Sequence, residues 1–243
     1  IALGGPTIHQ IVSRVEEPVL RRLLGFVDAI GLGEGEETLA RLFPVLDRLQ
    51  AADTQEGDRT EALRSLPNLV FLDRATGAVA RGPGHVVDLR EAPPPDYTDL
   101  DLDRYLAPSR TILYAPTRGC YWNRCSFCHY GLSETGTARY REVPPELAVS
   151  QLARLCQRHG VRNVYLSCDV LSPSYALRFA RALTDRGVKI RWSSDFKIER
   201  SFTAEDCAAL YRSGLRAAAF GMESGSDRVL RLVNKGTSAE QHI

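Results

Sequence analysis

The sequence predicts an α/β protein: the C-terminal half of a doubly wound, Rossmann-like domain followed by part of a (βα) barrel. Three observations predict it. Residues 1–65 alternate short apolar runs, glycine-rich turns and helical stretches, as a doubly wound sheet does. From residue 111 strand-like runs alternate with helices, and the last three strands recur roughly every 26 residues, the spacing of successive βα units. Directly after the first of these strands, nine residues carry three cysteines, Cys120, Cys125 and Cys128.

Ile1-Ala2-Leu3 reads as a strand running into Gly4-Gly5-Pro6. Residues 26–30 read as a second, running into Gly31-Leu32-Gly33-Glu34-Gly35-Glu36. Leu39, Leu42, Phe43, Leu46 and Leu49 then recur at helical spacing. The first strands of this half-domain are expected upstream of Ile1. Residues 66–110 change character. Leu69-Val70-Phe71-Leu72 and Val79 flank a glycine turn, a small hairpin. Pro93-Pro94-Pro95 and the acidic residues 96–103 follow, too proline-rich and charged for a core, so 66–110 is assigned to a hairpin and linker. In 111–243 the strands fall at 111–114, 161–167, 188–193 and 215–220. Pro144-Pro145 opens a helix that stops at Gly160, and Pro173 opens one that stops at Gly187. Thr203 with Asp206 gives a capping-box start before a stop at Gly214. Four units do not close a barrel, so the chain is expected to be cut at both ends.

Composition excludes several classes. With 44% apolar and 25% charged residues among 243 the chain has globular usage. Its 31 basic and 30 acidic residues leave +1, so no bulk field draws nucleic acid or anionic membrane. No apolar run approaches the ~20 residues of a membrane helix, and no cleavable signal is recognisable. A cytoplasmic protein with neither nucleic-acid nor membrane partners is expected. Only Lys189, Lys197 and Lys235 are lysines, a bias that reads as GC-rich coding.

The cysteine loop, Cys120-Tyr121-Trp122-Asn123-Arg124-Cys125-Ser126-Phe127-Cys128, follows a barrel-type strand, where the active face of such barrels is built. Three thiolates suffice to hold three irons of an iron–sulfur cube and leave the fourth open. A zinc site using His129 is weighed against this, but adjacent Cys128 and His129 point apart. A redox Cys-x-x-Cys would leave Cys120 idle, and three buried structural thiols suit so short and polar a loop less well. Cys156 and Cys207 fit apolar helix faces, and His159 suits the last turn of its helix without any metal.

Arg118-Gly119-Cys120 through Cys128 resembles the cluster loop of the radical SAM enzymes. Gly221-Met222-Glu223-Ser224-Gly225-Ser226, running to Asn234-Lys235-Gly236-Thr237, resembles their fourth barrel unit. Gly4-Gly5-Pro6-Thr7 and Gly33-Glu34-Gly35-Glu36 resemble the last part of the cobalamin-binding domain found in one branch of that family. One departure concerns the loop's path: four residues separate Cys120 from Cys125, one more than the family's commonest spacing.

The resemblance implies a [4Fe-4S] cluster on Cys120, Cys125 and Cys128, S-adenosyl-L-methionine at the open iron, and cobalamin. It implies reductive cleavage to a 5′-deoxyadenosyl radical and, in this branch, methyl transfer to an unactivated carbon. The alternatives are rearrangement, cyclisation or oxidation without methyl transfer, and, in a different class, a non-catalytic zinc-binding module. A methylthiotransferase fits less well, since no further cysteine triad appears in the N-terminal segment. The partners implied are a small-molecule or peptide substrate and a reductase or flavodoxin-type electron donor. Phe127 would pack on the adenine, and Tyr130 stands where backbone groups read it. Asp169, Ser194, Lys197 and Glu223, with Ser224 beside it, would stand at strand ends on the active face. Glu223 is assigned to the ribose hydroxyls and Lys197 to the methionine carboxylate.

The N-terminal turns Gly4, Gly5, Pro6, Thr7 and Gly33, Glu34, Gly35, Glu36 are assigned to the cobalamin tail, whose backbone-lined approach glycines permit. They do not make a dinucleotide site. The sixth residue of the fingerprint is Glu36, and carboxylates at a helix start would repel a pyrophosphate.

Overall fold

A computed structural model describes residues 1–51, 55–130 and 139–242, and these form two compact units. The first lies within Ile1–Asp88 and the second begins at Leu89. Among the described residues no helix is long and apolar enough to cross a membrane.

In the first unit β1 (Ala2–Leu3) turns at Gly4-Gly5 into α1 (Pro6–Arg14), where Pro6 sits at the helix start that best tolerates proline. α2 (Glu17–Leu23) and β2 (Ala29–Gly31) follow. The strand expected over 26–30 begins only at Ala29, because Phe26 projects into solvent. α3 (Glu36–Ala51) matches the leucine spacing, and α4 (Glu56–Arg64) leads to β3 (Leu69–Leu72) and β4 (Val79–Arg81).

The sheet runs β1-β2-β3-β4, with β1 parallel to β2 and the other pairs antiparallel. This corrects the placing of the hairpin in a linker. Ile30 pairs with Val70 and Ala29 with Phe71, and Leu69, Val70 and Phe71 are each 1% exposed. Leu69 and Phe71 pack into one buried cluster and Val70 into another, so β3 is a central strand and the first unit reaches Asp88 instead of ending near residue 65.

The second unit opens on β5 (Thr111–Tyr114) and a short ladder of β6 (Thr117–Arg118) with β7 (Arg141–Glu142). Helices and strands then alternate: α5 (Pro145–His159), β8 (Asn163–Leu171), α6 (Pro173–Asp185), β9 (Arg191–Phe196), α7 (Ala204–Arg212), β10 (Leu215–Phe220) and α8 (Asp227–Leu232). The helix ends follow the sequence signals. α5 stops at left-handed Gly160, Ser172 caps α6 by accepting from the Tyr175 N–H, and Thr203 and Asp206 form the capping box of α7.

β10, β9, β8 and β5 pair in that order, all parallel. Each strand therefore lies beside its predecessor, as in a barrel. One face packs on the helices around Trp192, Tyr175, Phe179, Leu152 and Leu166, and Phe179 meets Trp192 edge-on at 5.5 Å.

The proline-rich segment is more than a spacer, because it protects the β5 edge. The Tyr97 hydroxyl donates to the Leu113 carbonyl at 2.5 Å and accepts from the Leu113 N–H at 3.1 Å. One side chain thereby satisfies both backbone groups that an edge strand would leave open to another chain.

Candidate active site

The cysteine loop is anchored at both ends. At its start Gly119 has φ +83°, and a Cβ there would come within 3.3 Å of the Tyr140 backbone, so only glycine fits where the β6–β7 ladder opens. Farther along, the loop is bonded to the C-terminal end of α8 and the residues after it. The Trp122 indole N–H donates to the Asn234 carbonyl at 2.8 Å. The Ser126 N–H donates to the Val233 carbonyl at 3.0 Å, and the Ser126 hydroxyl to that of Leu232 at 3.3 Å. Within the loop, the Asn123 N–H points at the Cys120 sulfur at 3.4 Å and the Cys128 N–H bonds the Cys125 carbonyl.

All three thiols, each half-buried, line one cavity of about 490 Å³ at the C-terminal ends of β8, β9 and β10. Phe127, Tyr130, Asp169, Lys197 and Glu223 line it with them, as do Trp122, Asp195 and Lys235. Burial pushes the Cys125 thiol up. The Lys235 charge opposes that shift, and the neighbouring Cys128 and Cys120 add to it. Among the described residues no three His, Cys, Asp or Glu side chains converge as a single ion would require. The three thiols border one cavity, where three ligands of an iron–sulfur cluster would have to stand.

Two buried lysines flank the thiols. The Lys197 ammonium, on a residue 4% exposed, is 2.8 Å from Glu199 Oε1 and 4.6 Å above the centre of the Trp122 ring. The Tyr121 hydroxyl donates to the same Glu199 oxygen at 2.9 Å. Lys197, assigned from sequence to a cofactor carboxylate, thus has a carboxylate partner within the protein. Lys235, 8% exposed, pairs with Glu223 Oε1 at 2.9 Å. Glu223 has φ +64°, a conformation that costs a non-glycine residue about 1–3 kcal/mol and is typical of functional positions. Tyr130 lies against Asp169. Burial, then the hydrogen bond to the Asp169 carboxylate and its charge, push the phenol well up.

Two assigned residues do not reach the cavity. Ser194 is 1% exposed and donates its hydroxyl to the Leu166 carbonyl at 3.0 Å. It shares the helix-facing side of β9 with Trp192, and successive strand residues face opposite ways, so Asp195 faces the cavity in its place. The Ser224 hydroxyl accepts from the Ser226 N–H within its own turn. Sequence reasoning gave no role to Trp122 or Lys235. The available signal was the scarcity of lysine, since two of only three in the chain line this cavity.

In the first unit Gly4, Gly5, Gly33 and Gly35 line a separate cavity of about 360 Å³, together with Gly31 and Thr38. Pro6, Thr7, Glu34 and Glu36 do not line it. Pro6 begins α1, Thr7 is exposed, the Glu34 carboxylate accepts from the Val87 N–H at 2.8 Å, and Glu36 starts α3. The Gly33 N–H bonds His9 Nδ1 at 3.2 Å, tying the second glycine turn to α1.

Residues 114–243, more than half of the chain, match the radical SAM superfamily. The chain is 26% identical to an uncharacterized methyltransferase of Pyrococcus horikoshii, a match covering 100% of this chain and 49% of the relative. It is also 26% identical to the anaerobic magnesium-protoporphyrin IX monomethyl ester cyclase of Rubrivivax gelatinosus, over 89% of this chain and 38% of that protein. Among solved structures, OxsB, a cobalamin-dependent S-adenosylmethionine radical enzyme with aqua-cobalamin and S-adenosylmethionine bound, matches with a TM-score of 0.70 at 20% identity. That match covers 99% of this chain and 33% of OxsB and shows a shared fold. The chain spans about half or less of the length of the proteins it matches. With its cysteine loop at the C-terminal ends of a parallel sheet and more than half its length matched, the chain belongs to the radical SAM superfamily.

Proposed function

We propose that this chain is the core of a cobalamin-dependent radical SAM enzyme that methylates an unactivated carbon. Cys120, Cys125 and Cys128 hold three irons of a [4Fe-4S] cluster and leave the fourth to S-adenosyl-L-methionine. The observation that carries this is the meeting of three half-buried thiols with charged strand-end residues in one cavity. Its volume lies in the range of roughly 300–1,000 Å³ typical of small-molecule sites. When bound, the cluster and S-adenosyl-L-methionine supply one-electron cleavage of a sulfonium, and cobalamin supplies a methyl carrier.

The chain's own residues bind and orient. Phe127 offers an aromatic face to the cavity. Asp169, with the Tyr130 hydroxyl upon it, and Glu223, steadied by Lys235, present acceptors for sugar hydroxyls and amines. Trp122, with Lys197 over its ring, closes one wall. The glycine-lined cavity of the first unit lets backbone approach a ligand closely, which supports placing the cobalamin tail there. The methyltransferase relative favours methyl transfer. The cyclase relative favours the second reading, radical cyclisation or another rearrangement or oxidation without methyl transfer. The enzyme is proposed to be cytoplasmic, acting on a small-molecule or peptide substrate with a flavodoxin-type or reductase electron donor.

The test is full-length protein reconstituted anaerobically with iron, sulfide and a corrinoid. A product heavier by one CH₂ unit, formed with S-adenosylhomocysteine, supports methyl transfer. Turnover without that gain establishes the second reading, and failure to bind corrinoid removes the cobalamin assignment.

A further inference from the structure

The C-terminal end of α8 and the residues after it do two things at once. Through the Val233, Leu232 and Asn234 carbonyls they grip Ser126 and Trp122 of the cysteine loop. The next residue, Lys235, directs its ammonium into the cavity that the thiols line. Its N–H bonds the Leu230 carbonyl, so the backbone is held at the lysine as well as in the three residues before it.

The counter-charge is equally fixed. Glu223 reaches Lys235 at 2.9 Å from a left-handed turn after β10. Gly221 leaves the room, since a Cβ there would come within 3.0 Å of both the Glu223 carboxylate and the Lys235 ammonium. The result is an ion pair of fixed orientation beside Cys125 at the wall of the cavity.

We propose that the Lys235–Glu223 pair sets the reduction potential of the cluster, acting as a positioned charge pair and not only as a support for the loop. The proposal rests on the cluster assignment made above. Reduction adds one electron to an already anionic centre, so a nearby cation favours the reduced state and a nearby anion opposes it. The two charges largely cancel when paired. Removing Glu223 leaves the buried Lys235 ammonium acting on the cluster with little screening, and removing Lys235 leaves the more exposed Glu223 carboxylate acting in the opposite sense and more weakly.

The experiment is an EPR-monitored redox titration of the full-length protein, reconstituted anaerobically with ferrous iron and sulfide and titrated with dithionite without S-adenosylmethionine. Four proteins are compared: wild type, Lys235→Gln, Glu223→Gln and the double variant. Lys235→Gln should shift the midpoint to more negative potential and Glu223→Gln to more positive. The double variant should return toward wild type, which a loop merely loosened by either change would not do. Shifts of the same sign, no shift, or a double variant displaced further than either single one would overturn the proposal. If Lys235→Gln assembles no cluster, Glu223→Gln decides, since an unchanged or lowered potential there refutes it. A wild-type protein that assembles no iron–sulfur centre would instead sink the cluster assignment itself.

Discussion

Gly236 tests how the cysteine loop is held. It has φ +71°, and a Cβ added to it would lie 2.0 Å from the nearest atom of the Trp122 ring, so Gly236→Ala forces the indole to move. Three costs follow. Alanine in the left-handed region loses about 1–2 kcal/mol. Breaking the indole bond to Asn234 loses about 0.5–1.5 kcal/mol, and lifting the ring from beneath Lys197 loses about 0.5–2 kcal/mol. The variant should therefore be destabilised by about 2–5.5 kcal/mol, the upper part applying because the Lys197 ammonium is buried. Urea unfolding of anaerobically prepared protein measures this, with iron and acid-labile sulfide per chain as the local readout. The control is Trp122→Ala. Without the ring only the backbone strain remains, so Gly236→Ala should cost about 1–2 kcal/mol in that background, a coupling that a double-mutant cycle resolves. Equal costs in both backgrounds, or full iron content with an unchanged urea midpoint in the single variant, would show that Trp122 does not lie against Gly236.

Other outcomes follow from the same geometry. Replacing any one of Cys120, Cys125 or Cys128 with alanine should abolish cluster assembly, measured as iron per chain and visible absorbance, while Cys156→Ala leaves both intact. Ser194→Ala should cost about 1 kcal/mol of stability, the worth of one buried hydrogen bond, without changing iron content or S-adenosylmethionine affinity; Asp195→Ala should weaken that affinity, measured by anaerobic equilibrium dialysis. Asp206 accepts the Thr203 N–H and hydroxyl, which hold its carboxyl below the usual range. Its stabilisation is therefore complete above the ordinary carboxylate value of about 4 and is lost as pH falls through the lowered value. Asp206→Asn should lower Tm at neutral pH, with the gap to wild type closing below about pH 4.

The barrel helices and the order of the strands were legible because their signals are local, although the strand expected at 188–193 forms at Arg191–Phe196. Pro145, Pro173, Thr203 with Asp206, and Gly160 mark ends by their own backbone chemistry, and the structure uses each of them. The hairpin at Leu69 was legible as a hairpin but not as part of the first sheet, because its pairing with β2 spans some forty residues and leaves no local trace. The same distinction divides the site. The three cysteines announce a ligand loop by type and spacing, whereas Ser194 and Asp195 differ only in which face of β9 they take. Period-two reading from the buried Trp192 settles that choice in favour of Asp195. Tyr97 lay in a segment read as spacer, and no pattern in its own neighbourhood points to the free edge of β5.

The lysines close the argument by a different route. A buried ion pair is a weak source of stability, since desolvating both charges costs several kcal/mol per ion and a well-packed apolar pair often serves as well. In the pairs of Lys197 with Glu199 and Lys235 with Glu223 the lysine is the buried partner and the glutamate the more exposed one, so the desolvation cost falls on the two ammonium groups. Lys197, Lys235 and Glu223 border the cavity that the three thiols line, in a chain whose remaining basic residues are arginines except for Lys189. An ammonium is a compact charge on a flexible stem, and a guanidinium is a wide, flat fork that would fill the same space. On the cluster assignment proposed above, lysine at these two positions places a small positive charge beside an anionic centre, with a carboxylate to hold it in place.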